Sequence, residues 1–236
     1  MNLQISLTVE KPAPPDRMIE EIPVYHMGQD LSLRATFTNG GDDSISIEDP
    51  QMSQAVNLML SREASEDELF MIHPTQMDAT GELTAPVPST LRLAPNESAK
   101  LEFSLYEIIP DKCFTPGVYA IYIEFSDVKS PLLGFAVEFR PQSVPLLTQI
   151  AVDEEASRWL RKTSLEWLGK LPKTPQIQLP AASETPEERK QRVEQNAQTA
   201  RLFLGNWQFE KNTAETLELF ERYRLETTQK PTGDDQ

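Results

Sequence analysis

The chain has 236 residues, 37 acidic against 22 basic side chains and a formal charge of −15, with a mean hydropathy of −0.45. A chain of this length buries a sizeable core without metal or disulfide support, and its one cysteine, Cys113, excludes an intramolecular disulfide and suits a reducing compartment. The acidity disfavours binding to phosphate backbones, and no run of about eighteen apolar residues is present to cross a membrane.

Residues 2–9 read as a first strand rather than a secretion signal, because no basic cluster precedes them and Ser6, Thr8 and Glu10 interrupt the apolar positions. Lys11-Pro12-Ala13-Pro14-Pro15-Asp16 cannot donate a regular ladder and is predicted to loop between sheets. Further strands are predicted at about 31–38, 44–48, 55–60, 68–73, 89–93, 98–105, 117–126 and 132–139. Thr38-Asn39-Gly40-Gly41-Asp42-Asp43 has the residues for a tight hairpin between the run ending at Phe37 and the one holding Ile45 and Ile47. The clearest alternation is late: Leu101, Phe103 and Leu105, then Tyr119, Ile121, Ile123 and Phe125, then Leu133, Phe135, Val137 and Phe139.

The Pro116-Gly117-Val118-Tyr119 segment resembles immunoglobulin-like sandwiches, which often carry Gly-x-Tyr at the start of a late central strand. The resemblance covers roughly residues 1–140 and implies that Tyr119 is a corner tyrosine whose hydroxyl ties back to the preceding corner. It also implies that Leu93-Ala94-Pro95-Asn96-Glu97 is the turn into the strand before it. With no cysteine pair and no tryptophan in this half, antibody-type domains are excluded. A cytosolic class of proteinase inhibitors shares this look. The expected fold is therefore α+β, an N-terminal antiparallel immunoglobulin-like β-sandwich over 1–142 followed by a C-terminal helical extension over 146–228.

After Pro145, glycine and β-branched residues thin out and helical spacing takes over. Asp153-Glu154-Glu155 suits a helix start, with Ala156, Trp159, Leu160, Thr163, Trp167 and Leu168 on one face and Gly169 with Pro172 closing it. Residues 172–184 read as an extended linker. Thr185-Pro186-Glu187-Glu188 is a capping box with proline at the first helical position. It opens a helix to about Leu204 with a stripe of Val193, Ala197, Ala200 and Leu204, which Trp207 continues unless Gly205-Asn206 breaks it. Asn212-Thr213-Ala214-Glu215 caps a last helix with Leu217, Phe220 and Tyr223 on one face, and 229–236 reads as a disordered tail.

Catalytic signatures are missing from the sequence. His26 and His73 lack ligand spacing with each other or with Cys113, where zinc would need three or four converging ligands. They read as strand-end histidines and an idle thiol. Glu63-Ala64-Ser65-Glu66-Asp67-Glu68 and Asp42-Asp43 lack calcium-loop spacing and read as a solvated loop and a hairpin tip. No nucleophile elbow, phosphate-cradling loop or dinucleotide fingerprint occurs. No enzyme activity, cofactor or metal is expected.

The partner expected is a protein or a second copy, not nucleic acid and not a membrane, in a cytoplasmic setting. Trp159, Trp167, Trp207 and Phe220 are the candidate docking aromatics, and Asp42 and Asp43 the candidate charged contacts. Three functions fit these residues: a non-enzymatic interaction or adaptor protein, an inhibitor or immunity-type protein blocking a basic site, and an accessory subunit of a phage-like assembly. Against them stands a hydrolase using His26, His73 or Cys113. The adaptor predicts salt-tolerant association through the helices, the inhibitor salt-sensitive association through the acidic half.

Overall fold

A computed structural model describes residues 2–11, 17–19, 22–62, 68–72, 76–77, 83–84, 89–108 and 115–228. Strands follow in the order β1 (Leu3–Lys11), β2 (Arg17–Ile19), β3 (Ile22–His26), β4 (Ser32–Asn39), β5 (Ile45–Glu48), β6 (Asn57–Arg62), β7 (Glu68–Met71), β8 (Gln76–Met77), β9 (Leu83–Thr84), β10 (Thr90–Leu93), β11 (Ser98–Ser104), β12 (Gly117–Phe125), β13 (Val128–Lys129) and β14 (Leu133–Glu138). Among the described residues, apart from a one-turn helix at Leu105–Ile108, the helices are C-terminal: α1 (Ser143–Val152), α2 (Arg158–Leu168), α3 (Pro186–Glu210) and α4 (Ala214–Thr228). The fold class is thus α+β, with the strands shared among several sheets.

Two compact units divide the chain. The first comprises Met1–Val24, Asp30–Cys113 and Gly117–Ala136, the second Tyr25–Gln29, Phe114–Pro116 and Val137–Gln236. In the first unit β4 is the middle of a three-stranded sheet, antiparallel to β1 and β11, with Ile5 opposite Phe37 and Leu101 opposite Ala35. A larger sheet runs β2-β3-β14-β12-β6-β7, with β13 on β12. Period-two alternation buries Leu33, Ala35 and Phe37 from β4 and Tyr119, Ile121, Ile123 and Phe125 from β12. Phe37 meets Phe125 edge to face at 5.3 Å, joining the buried faces of the two sheets. Each buried Leu, Ile or Phe side chain among these contributes about 1.5–3 kcal/mol.

Three turns show how local chemistry sets these strands. Ser126 and Asp127 both have positive φ, 50° and 64°, and form the two-residue connection of the β12–β13 hairpin, in which Phe125 faces Val128. Asn96, at φ 62°, follows Pro95 in the turn before β11, and Glu97 N–H donates to the Ala94 carbonyl at 3.0 Å. The hairpin expected at Thr38–Asp43 does not form: β5 pairs with β10, not with β4, and neither Gly40 nor Gly41 has a positive φ. Both edges of β4 are already taken, so the chain must leave that sheet. Asn39 secures the exit, its Nδ2 donating to the carbonyls of Asp43 and Leu93 and its Oδ1 accepting from Gly41 N–H.

Sequence periodicity missed β2 and β3, which are short and contain Pro23 opposite Met18. It set β6 two residues early, at 55–60 rather than Asn57–Arg62. The proline-rich loop at 12–16, His73, Cys113, Glu63–Asp67 and the tail 229–236 lie outside the described residues.

In the second unit, α1 begins just after the predicted boundary, carrying Pro145 in its first turn, where a missing N–H does no harm. Asp153 therefore caps the C-terminus of α1 instead of opening α2, and Ser157 opens α2, its hydroxyl accepting from Leu160 N–H at 3.2 Å. Gly169 closes α2 as expected. The capping box at Thr185 and Glu188 forms in full. α3 does not break at Gly205-Asn206 but continues to Glu210. Gly205 has open space around it, so no neighbour forces a bend there. Thr213 caps α4, accepting from Thr216 N–H at 3.3 Å.

Gly28 carries a φ of +88°, and a Cβ there would lie 3.1 Å from Leu146 Cβ on α1. Left-handed strain and this contact act together, so Gly28→Ala is expected to lower unfolding stability by about 2 kcal/mol. Urea denaturation of the two proteins checks it, and an unchanged midpoint would show that the segment relaxes freely.

Candidate functional site

The helical unit is organised by one guanidinium. Arg192, buried on α3, donates Nη1 and Nη2 to the two carboxylate oxygens of Glu154 at 2.8 and 2.9 Å, and Nε and Nη2 to those of Glu184 at 2.7 and 3.0 Å. Glu154 also pairs with Arg161 Nη2 at 2.9 Å and Arg189 Nε at 3.3 Å. Arg161 Nε donates to the Ala151 carbonyl at 3.3 Å. Three guanidinium groups on one carboxylate, led by the Arg192 hydrogen bonds, hold Glu154 down at about 2. The same carboxylates push Arg192 up from an already high value.

One turn along α3, Asn196 closes a two-bond ring with the backbone of Gln178. Gln178 N–H donates to Asn196 Oδ1 at 2.9 Å, and Asn196 Nδ2 donates to the Gln178 carbonyl at 2.8 Å. Those two bonds pin the 172–184 segment at Gln178, next to the buried Ile177. The buried stripe of α3 is therefore Arg192, Asn196, Ala200 and Trp207: the expected Ala200 and Trp207 are buried, while Val193, Ala197 and Leu204 are only half-buried and Arg192 and Asn196 take the inward places. The signal was present: Arg192 and Asn196 share helical spacing with Ala200, but polar residues are not counted as core by a hydropathy pattern.

An aromatic chain extends this interior. Trp207 lies 6.2 Å from Phe220, Phe220 lies 5.0 Å from Phe139, and Phe139 lies 5.1 Å from Trp167, with Tyr223 against both Phe139 and Trp167. Lys170 Nζ sits 3.2 Å from the Trp167 ring centroid. Beside Trp207, a half-open cavity of about 500 Å³ is bounded by Phe203, the start of α4 and residues 171–176, with Lys173 paired to Glu210 at its edge at 2.5 Å.

The sequence-derived candidates thus separate. Trp207 and Phe220 are buried within the helical unit and Trp167 is half-buried there, while Trp159 is 41% exposed. Asp42 and Asp43 are exposed in the first unit, on the exit from β4. His26 stands at the end of β3, as a strand-end histidine should. Leu217 is exposed, and Thr216 takes its place on the inward side of α4 with Phe220. Sequence reading missed the outward residues Leu202 and Phe209, which are 64% and 88% exposed. Among the described residues no group of three or more His, Cys, Asp or Glu is placed to hold a metal, and no helix is long and apolar enough to cross a membrane.

No protein family matches the chain, and no curated protein does. Among solved structures it is similar to the alkylpurine DNA glycosylase AlkC of Pseudomonas fluorescens bound to DNA containing an abasic site analog, at 13% identity and a TM-score of 0.31 over 58% of this chain and 30% of that one. It is also similar to a β-glucosidase from Listeria innocua in complex with gluconolactone, at 14% identity and a TM-score of 0.29 over 57% and 16%. The CARDB domain of a Pyrococcus furiosus protein matches at 13% identity and a TM-score of 0.27 over 58% of this chain and 94% of that one. The chain spans less than a third of the glycosylase and about a sixth of the glucosidase. At this degree of likeness no activity transfers.

Because Glu154 is held at about 2 against an ordinary value of 4.5, its stabilising contribution is present above pH 4.5 and is lost as pH falls toward 2. Glu154→Gln leaves two buried guanidinium groups short of an anion and is expected to cost about 3 kcal/mol at neutral pH. Urea midpoints of both proteins should converge between pH 4.5 and about 2. A gap that stays constant over that range would remove the electrostatic account.

Proposed function

We propose that the chain is a non-enzymatic cytosolic adaptor, in which an immunoglobulin-like sandwich carries helices that dock a protein partner. The observation that carries this reading is the pair Leu202 and Phe209. They stand seven positions apart on α3, hence on one face, and are 64% and 88% exposed. A large apolar side chain and an aromatic ring held in water gain free energy when a partner covers them. The opposite face of the same helix is fixed by Arg192, Asn196 and Trp207, so the exposed face is presented without an ordering penalty. Leu217 on α4 and Trp159 on α2 add exposed apolar area in the same unit. The sandwich part of the reading draws on the two sheets joined through Phe37 and Phe125, and the cytosolic part on the single cysteine.

The inhibitor reading draws on Asp42 and Asp43, which are exposed where the chain leaves β4. The two readings differ in the variant that abolishes binding. In a pull-down from the native host, the adaptor predicts a partner retained at high salt by the native chain and reduced at least about tenfold by Leu202→Asp with Phe209→Asp. Both positions are exposed, so the fold should be kept. Full retention by that double variant, with loss by Asp42→Asn and Asp43→Asn instead, would overturn the adaptor in favour of the inhibitor.

A further inference from the structure

An adaptor joins two partners and needs a second surface, and the first unit offers one at the end of its larger sheet. β7 is the last strand of the order β2-β3-β14-β12-β6-β7, and among the described residues no strand pairs with its outer side. The register places Phe70 opposite Leu58 and Leu69 opposite Met59. Just beyond the strand, Ile72 N–H donates to the carbonyl of Val56 at 3.4 Å. In an antiparallel pair the residues that bond directly opposite each other alternate with those that do not. Glu68, Phe70 and Ile72 therefore turn their backbone groups toward β6, and Leu69 and Met71 turn theirs outward.

The same two residues carry the exposed side chains. Leu69 is 59% and Met71 48% exposed, on one face of the strand. That face continues inward across the sheet, since Leu69 stands opposite Met59 and Met59 opposite Tyr122. Exposed edges are normally blunted by lysine, proline or a bulge. Glu68-Leu69-Phe70-Met71 contains neither lysine nor proline, and its register with β6 is unbroken.

We infer that the β7 edge takes an extended segment of a basic partner protein, added as a further antiparallel or parallel strand. Charge selects this occupant. Residues 1–150 hold 22 acidic against 9 basic side chains. A second copy would bring the same excess to the same edge and be repelled. A partner strand would bond the outward N–H and C=O groups of Leu69 and Met71, lay alternate apolar side chains beside theirs, and bring lysine or arginine to an acidic part of the chain. This inference rests on the adaptor reading.

The test uses the full chain and a short synthetic peptide of alternating valine and threonine with lysines at both ends, compared with the same peptide ending in glutamates. The lysine peptide is expected to bind at least about tenfold more tightly by fluorescence anisotropy, and to weaken as ionic strength rises. Amide exchange at Leu69 and Met71 should slow on binding. Leu69→Pro removes an outward donor while leaving the bonds to β6, as prolines on edge strands do, and should reduce affinity about tenfold or more. Met71→Lys, which keeps the backbone, should weaken the lysine peptide alone.

Equal binding of the two peptides, no binding, or protection elsewhere in the chain overturns the inference. So does a dimer of the native chain, seen by light scattering, that Leu69→Pro abolishes, since the edge would then belong to a second copy. Failure here with a host partner still lost on Leu202→Asp and Phe209→Asp leaves the adaptor standing with a different second surface. Failure of that double variant to affect any partner removes the adaptor whatever the peptides do.

Discussion

The helical unit depends on the burial of Arg192 between two carboxylates that come from separate places in the chain. Glu154 lies between α1 and α2, Glu184 at the end of the extended segment, and Arg192 on α3. One planar cation thereby fixes three segments that the sequence separates by up to 38 positions. Its bidentate geometry is what a lysine cannot reproduce. The desolvation of such a group is offset only when its donors are met, and here all three guanidinium nitrogens have carboxylate partners. Such a network also sets direction: α3 can turn only one way and keep Arg192, Asn196 and Trp207 inside. The outward placement of Leu202 and Phe209 follows from that rotation.

How much of this was legible depended on whether the signal was local. The β12 alternation, the Thr185 capping box and the Gly169 stop are each decided by residues within a few positions of one another, and each was read correctly. The α1 helix is not foreseen because the sequence pattern starts the helical region after Pro145 and its first helix at Asp153, although proline is tolerated in a first turn. The Asp153-Glu154-Glu155 run shows the opposite error. Three acidic residues fit a helix start by the dipole rule, yet Asp153 ends a helix and Glu154 serves two buried arginines. A charge whose partner lies 38 residues away cannot be distinguished, in one sequence, from a charge facing water.

The strand half failed in the same way at one place. Thr38–Asp43 has ideal composition for a tight turn, and composition would decide the matter if β4 had a free edge. Its edges are occupied by β1 and β11, so pairing that is remote in sequence overrides the local preference. Asn39 then works as a joint, satisfying backbone groups on the way out of the sheet rather than closing a hairpin. The exposed Asp42 and Asp43 are consequently the flank of a crossover. The docking aromatics divided for a related reason: a tryptophan on an amphipathic helix looks the same whether it anchors the interior or a partner, and Trp207 and Phe220 anchor the interior.

A few large apolar side chains stay exposed in both units, and the two exposures differ in kind. Leu202 and Phe209 offer chiefly side chains, because both stand on a helix whose backbone groups bond along its own axis up to the last turn. Leu69 and Met71 offer side chains together with main-chain donors and acceptors, because among the described residues no strand pairs with the outer side of β7. A helical face of the first sort selects by shape and apolar area and is little affected by salt. A sheet edge of the second sort accepts many sequences through its backbone, so discrimination falls to whatever surrounds it. Here residues 1–150 carry 22 acidic against 9 basic side chains, and under the proposed strand addition that excess ranks a basic partner strand above an acidic one.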